Sequence, residues 1–269
     1  MAIFARPGVE LYYELDGTGP FLLLLPGLAS DSQSWAPVRA ALARNFRLVL
    51  PDIRGAGRTL PHGAAVSVEL LAEDALALLD HLGIARAHVL GHSLGGLVAH
   101  RLAVAAPDRV DQLVLAASGA IDARGAGLLA DLAAAREAGL PAELWFRLLF
   151  QWLFRPGFFA DPRRVADAAR LAAAYPHPQP AAAFRAQLAA AVAGAPRGGD
   201  RITAPTLVLC GALDLLVTPA ASRASFAELN GVRCCELADA GHSLHWDQPA
   251  AFVAAVSEFL TAGRAAFRR

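Results

Sequence analysis

Two hydrophobic periods alternate along the chain. "FLLLLPG" (21–27) is apolar throughout and stops at Pro-Gly, as a strand buried on both faces would. "VELYYELDG" (9–17) reads as a strand running into a turn at Asp16-Gly17, and "RLVLPDIRG" (47–55) as a buried strand ending in a polar loop. Between them, residues 34–43 switch to helical spacing, with Trp35, Val38 and Leu42 on one side. "SVELLAEDALALLDHLG" (67–83) is an amphipathic helix that Ser67 can cap and Gly83 can end. "AHVLG" then reads as strand, "LGGLVAHRLAVAAP" as helix and "VDQLVLAASG" (110–119) as strand. The rhythm returns after residue 204. Strands are expected at 205–211 and 232–241, and helices at 219–231 and 249–263. Alternation of this kind predicts a parallel sheet with helices on both faces.

Residues 122–200 break the pattern. They are rich in Ala, Arg and aromatics, helical in spacing and without a good strand; "RGAG", "YPHPQP" and "GAPRGG" punctuate them. The expected organisation is one α/β core from 1–121 and 201–269, with 122–200 as a helical insertion.

At 91–95 the sequence reads Gly-His-Ser-Leu-Gly, between a buried strand and a helix. A turn that tight needs small neighbours, so glycines let strand and helix approach while the Ser93 hydroxyl projects outward. The N–H of Leu94 then lies beside that oxygen at a helix N-terminus, where negative charge is favoured. A serine hydroxyl is a poor nucleophile without a base, and an imidazole base needs a carboxylate to hold its tautomer. "LVLCGALDLLVTP" places Asp214 just after a buried strand, and "ELADAGHSLHWDQP" places His242 in the loop after the next. Both sit at strand ends, where ligands gather in open parallel sheets.

These pieces, "LLLLPGL", "PDIRGAGRT", "VLGHSLGG", "LVLCGALDLLVTP" and "GHSLHWDQP", resemble in order the motifs of Ser-dependent α/β-hydrolase fold enzymes. That group holds small esterases, lactonases, cofactor-free haloperoxidase-like proteins and carbon–carbon bond hydrolases. The resemblance covers the whole chain except 122–200, which would be the family's cap. It implies a mostly parallel eight-stranded sheet flanked by helices, with the cap inserted after the sixth strand. It also implies Ser93 as nucleophile, His242 as general base and then acid, and Asp214 as the orienting carboxylate. The backbone N–H groups of Leu28 and Leu94 would form the oxyanion hole. His242 followed by Asp247 and Pro249 is similar to the family's G-H-x4-[ED]-x-P. The chain departs from the family in the oxyanion loop, where Pro26-Gly27 stands in place of the frequent His-Gly. The expected reaction is hydrolysis of a small carboxylic ester or lactone through an acyl-enzyme, with no cofactor. A carbon–carbon bond hydrolase, a perhydrolase and a non-catalytic small-molecule receptor are the alternatives.

Around this constellation, Trp145, Phe146, Leu149, Trp152 and His245 are expected to line a substrate pocket. Leu144, Leu148 and Trp152 have the spacing of a helix packing on the core, and Arg147 and Arg155 could meet a substrate carboxylate. His92 is expected to pack beneath the serine turn. Asp122 is the second choice for the acid, and Asp52 and Arg54 read as a structural loop. His242 and His245 alone are too few ligands for a metal site.

Composition narrows the classes further. Of the 269 residues 55% are hydrophobic, enough for a large core. The 24 basic and 24 acidic residues cancel, which argues against nucleic acid or an anionic membrane as a partner. All 24 basic residues are Arg, so Schiff-base and P-loop lysine chemistry are excluded. Cys210, Cys234 and Cys235 lack zinc-ligand spacing and read as core cysteines of a reducing compartment. The N-terminal stretch shows no leader pattern, and "FLLLL" is too short to span a bilayer. A cytoplasmic protein is expected, acting on a small molecule, with homo-oligomerisation left open.

Overall fold

The structure is a computed structural model that describes residues 2–266. Eight strands form one sheet: β1 (Ala2–Arg6), β2 (Val9–Asp16), β3 (Phe21–Leu25), β4 (Arg47–Pro51), β5 (Ala87–His92), β6 (Val110–Ala116), β7 (Thr206–Gly211) and β8 (Arg233–Leu237). Their order is β1-β2-β4-β3-β5-β6-β7-β8. β1 and β2 run antiparallel, as do β2 and β4, and every later pairing is parallel.

The all-apolar strands are those covered on both faces. In β3, Leu23 and Leu25 join one core cluster while Leu22 and Leu24 join the other. Burying each of these leucines contributes about 1.5–3 kcal/mol. One face is covered by α2 (Val68–His81) and α3 (Leu94–Ala105), the other by α1 (Ala36–Leu42) and α10 (Pro249–Ala266). The Ser67 hydroxyl caps α2 by accepting from the Leu70 N–H at 3.1 Å, and Gly83 closes it at φ 65°. Trp35, Val38 and Leu42 are buried together, as their spacing predicts.

Between β6 and β7 lie α4 (Ala123–Glu137), α5 (Ala142–Leu153), α6 (Pro162–Ala173) and α7 (Ala181–Ala193), called the cap below. α4, α5 and α7 share a small core built on Leu129, Leu132, Trp145, Leu149, Phe184 and Leu188. α5 buries Trp145, Leu149 and Phe150, whereas Leu144 and Leu148 are exposed. The stripe facing inward is thus one position along from the expected one. After β7 come α8 (Pro219–Ser225) and, beyond β8, the short α9 (Leu244–Asp247).

Three further expectations need correction. β1 was not expected; it is a half-exposed edge strand whose burial alternates, but its four successive apolar residues, 2–5, show no alternation in the sequence. α8 ends at Ser225, six residues early: Phe226 leaves helical geometry at φ −115°, ψ 21°, and the chain runs through turns to Gly231 before β8. Only Cys210 is a core cysteine; β8 is the sheet's last strand, which leaves Cys234 exposed and Cys235 half-buried. No helix among the described residues is long and apolar enough to cross a membrane.

Candidate active site

Strand register brings the site together. Leu25 of β3 pairs with Gly91 of β5, so the loops leaving those strands emerge side by side. Chain order reverses here, with β4 on one side of β3 and β5 on the other. That is the switch point where open α/β sheets bind ligands.

Ser93 sits between β5 and α3 at φ 52°, ψ −118°, a strained conformation for a residue with a Cβ. The surroundings enforce it. Its N–H donates to the Ala116 carbonyl at 2.9 Å and its carbonyl accepts from the Ser118 hydroxyl at 2.8 Å. A Cβ on Gly91 would run into the Gly95 carbonyl, and one on Gly95 into the carbonyl of Leu25. Only glycines allow strand, turn and helix to close this tightly.

The Ser93 Oγ lies 2.9 Å from His242 Nε2, and His242 Nδ1 lies 2.8 Å from Asp214 Oδ2. A carboxylate can only accept, so Nδ1 carries the hydrogen and Nε2 is left as acceptor for the serine hydroxyl. The other Asp214 oxygen accepts from the N–H groups of Leu216 at 2.8 Å and Val217 at 3.0 Å, which orients the carboxylate. Asp214 and His242 are both buried. Asp122 is not part of this relay; it caps α4 by accepting from the Gly125 N–H at 2.7 Å.

The His242 loop is held from three directions. Asp247 Oδ2 accepts from Gly241 N–H at 2.8 Å and from Arg155 N–H, in the cap, at 3.0 Å. The Ser243 N–H donates to the Leu153 carbonyl, also in the cap, at 2.8 Å. The third hold is His92, whose Nε2 lies 2.9 Å from the His242 carbonyl and must therefore carry the hydrogen. Burial, then the charge of His242, pushes the His92 pKa down to about 3, so it stays a neutral spacer. A Cβ on Gly27 would come within 2.9 Å of His92 Nδ1, so this imidazole also packs against the loop after β3.

A cavity of ≈ 60 Å³ opens over Ser93. Leu28, Leu94 and His242 line it beside the serine; Leu129, Leu149, Leu153 and Phe184 line it from the cap; Ile121, Leu216 and Val217 close it from core loops. Of the expected pocket residues, Leu149 is there. Four are placed elsewhere. Trp145 is buried inside the cap, with its Nε1 donating to the Leu132 carbonyl at 2.8 Å. Phe146 is half-buried against Trp145 and Phe150. Trp152 is half-buried with the Arg124 guanidinium 5.1 Å from its ring centre. His245 is buried between Trp35, His92 and Phe252, and burial holds its pKa well below the usual imidazole value. Three residues on from His242, it lies outside the cavity lining.

Neither arginine offered for a substrate carboxylate lines the cavity: Arg155 pairs with Asp239 and Arg147 is exposed. Arg54 pairs with buried Asp74. Asp52 is fully buried and accepts from the Ser32 N–H at 2.9 Å and the Arg58 N–H at 2.8 Å, a structural loop as read. Among the described residues no group of three or more His, Cys, Asp or Glu could hold a metal ion.

The sequence reading missed Gln187. Phe184, Gln187, Leu188 and Ala191 follow helical i, i+3, i+4, i+7 spacing, and a glutamine on such a stripe signals a buried polar contact.

Comparison with known proteins agrees with this architecture. The chain is 38% identical over 106 residues to RutD of Azorhizobium caulinodans, a carbamate hydrolase candidate; the match spans 39% of this chain and 40% of that one. The chain thus aligns with about two fifths of the length of that relative. The crystal structure of the enol-lactonase from Burkholderia xenovorans LB400 superposes with TM-score 0.85 at 28% identity, covering 97% of this chain and 100% of that one. A hydrolase from Pseudomonas aeruginosa PA01 superposes with TM-score 0.83 at 30% identity, covering 96% and 97%. The family model for the alpha/beta hydrolase fold matches residues 20–249, and the chain belongs to that family.

Proposed function

We propose that the protein is a serine hydrolase that cleaves small carboxylic esters or lactones through an acyl-enzyme. The observation that carries this reading is the unbroken relay Ser93–His242–Asp214, at 2.9 and 2.8 Å, at the floor of an apolar cavity. Ser93 Oγ attacks the carbonyl carbon as His242 Nε2 takes its proton. Asp214 stabilises the imidazolium that results. The oxyanion of the tetrahedral intermediate is received by the N–H groups of Leu28 and Leu94. Each such donor is worth roughly 10²–10³ in rate. His242 returns the proton to the departing alkoxide, and water repeats the sequence to release the acid. Leu94 is the first residue of α3, where N–H groups lack intrahelical partners and the helix dipole favours negative charge.

The cavity favours an ester or lactone over the vinylogous keto acid of a carbon–carbon bond hydrolase. Among the described lining residues there is no arginine, and a buried carboxylate without a partner is costly. The volume of ≈ 60 Å³ is well under the roughly 150 Å³ that admits benzene, which fits a short acyl group. The kinship with an enol-lactonase is in keeping with lactones as substrates.

The test is a panel of nitrophenyl esters and lactones of graded length, with and without a carboxylate, run on the protein and on Ser93→Ala. Short neutral esters are expected to be turned over best, with kcat falling about 10⁵-fold in the variant. A fluorophosphonate probe is expected to label Ser93. Turnover that survives in Ser93→Ala, or an unlabelled Ser93, would overturn the assignment.

A further inference from the structure

Gln187 connects the cap to the loop that carries Leu28. It lies on α7 among Phe184, Leu188 and Ala191 and is fully buried. An amide in such surroundings destabilises the fold unless its groups are paired. All its bonds across the seam go to backbone of the core. Its Nε2 donates to the Arg54 carbonyl at 2.7 Å, and its Oε1 accepts from the Ala29 N–H at 3.3 Å. Because Arg54 offers only an acceptor and Ala29 only a donor, the orientation of the amide is fixed. Gln179 donates to the same Oε1 at 2.9 Å and to the Gly55 carbonyl at 2.8 Å, but makes no bond to Ala29.

The residue that Gln187 grips is itself strained. Ala29 sits at φ 60°, a left-handed conformation that costs an alanine free energy and persists only where its surroundings impose it. On the other side of Leu28, Gly27 is wedged against His92 and the Ser93 Cβ. The Leu28 N–H therefore lies between one peptide fixed by the serine turn and another fixed by the cap. The loop itself reads Pro26-Gly27-Leu28-Ala29, four residues with no side chain of their own that could hydrogen-bond these peptides.

We propose that Gln187 is a positioning residue: through the Ala29 N–H it fastens the peptide after Leu28, so that the Leu28 N–H is presented to the oxyanion only when the cap is seated. This rests on the ester-hydrolase reading above, in which Leu28 is an oxyanion donor. It makes the cap part of the machinery that stabilises the transition state, not merely a cover.

The test compares Gln187→Met with Gln179→Met. Each keeps side-chain length and bulk while removing a buried amide, but only the first deprives Ala29 of its partner. In Gln187→Met, kcat for a short ester is expected to fall about 10- to 30-fold, less than loss of a whole donor, while KM stays within about threefold. Affinity for a trifluoromethyl ketone, which forms a tetrahedral adduct on Ser93, should fall in parallel with kcat. In Gln179→Met, kcat should stay within about threefold of wild type. Amide exchange gives a readout independent of turnover. In the wild-type protein the Ala29 N–H should be protected, and its exchange should accelerate in Gln187→Met but not in Gln179→Met. Unprotected Ala29 in the wild type, or equal losses of kcat in the two variants, would overturn the proposal and leave Gln187 as cap packing. Fluorophosphonate labelling of the wild type separates the two levels. A labelled, active enzyme with an indifferent Gln187 sinks only the positioning role, whereas an unlabelled, inactive wild type sinks both.

Discussion

Every residue of β5 and β7 is buried, whereas α6 buries two of its twelve, Val165 and Ala169. That contrast separates two kinds of stability in one chain. The sheet is sealed on both faces by interlocking aliphatic side chains, and the relay residues follow directly from β5, β7 and β8. The cap has one small core around Trp145 and Phe184, with exposed Leu144, Leu148 and Leu171 outside it. It meets the core partly through polar contacts, Gln187 at Ala29 and the Tyr175 hydroxyl at Asp31 Oδ2, 2.6 Å away. The rigid part holds groups that must stay within tenths of an ångström of one another. The softer part shapes the space in front of them.

The sharpest way to break this division is to exchange carboxylates. Asp214→Asn, in the core, removes the acceptor that fixes the His242 tautomer, and kcat is expected to fall about 10⁴-fold. Asp122→Asn, at the start of the cap, should leave ester turnover within about threefold and lower stability by no more than about 1 kcal/mol. If both variants lost activity alike, chemistry would not be confined to the core.

A smaller effect is expected where the cap lines the cavity. Leu149→Ala opens the cavity from the cap side. The ratio of kcat/KM for a hexanoyl over an acetyl ester should rise about tenfold, in line with the value of a few methylenes in an apolar pocket. Denaturant unfolding should show a loss of roughly 2–3 kcal/mol. An unchanged chain-length profile would mean that the acyl group lies elsewhere.

The effect expected to bear least on turnover concerns acid. The core buries His92, His100 and His245, whereas His177 in the cap is exposed. Burial, with a contribution from Arg101, lowers the His100 pKa to about 4 from 6.5. The native state keeps this imidazole neutral while the unfolded chain takes up a proton. The associated stability is therefore complete above 6.5, drains away as pH falls toward about 4, and loses nothing more below that. His100→Phe, which retains an aromatic partner for Phe226, should flatten the acid limb of the stability profile over that window. A slope unchanged by the substitution would place the acid sensitivity outside this histidine.

The same contrast explains what could be read from sequence. Strands buried on both faces announce themselves as apolar runs, so β3, β5 and β7 were legible, and the glycines around Ser93 marked the turn. The candidate relay was legible because its members sit in short, ordered segments at strand ends. The cap was legible as helices but not as a surface. With bulky side chains on several faces of α5, spacing alone does not say which side turns inward, and Trp145 looks as suited to a pocket as Leu149. His245 misled for a related reason. It lies only three residues from His242, and only packing against Trp35 and Phe252 decides that it faces away. Gln187 carried a readable signal, an amide on an apolar stripe, but its core partners lie 158 and 133 residues earlier as backbone groups, which no side-chain motif records.

The loop bearing His242 is stitched to the carbonyl of Leu153 and the N–H of Arg155. Main-chain bonds are indifferent to the side chains at those positions, so the lining of the entrance can be rewritten residue by residue without slackening the base. Transplanting a whole foreign lid would remove both stitches at once. Redesign of this scaffold therefore has a natural grain: point changes run along it, and chimeras cut across it.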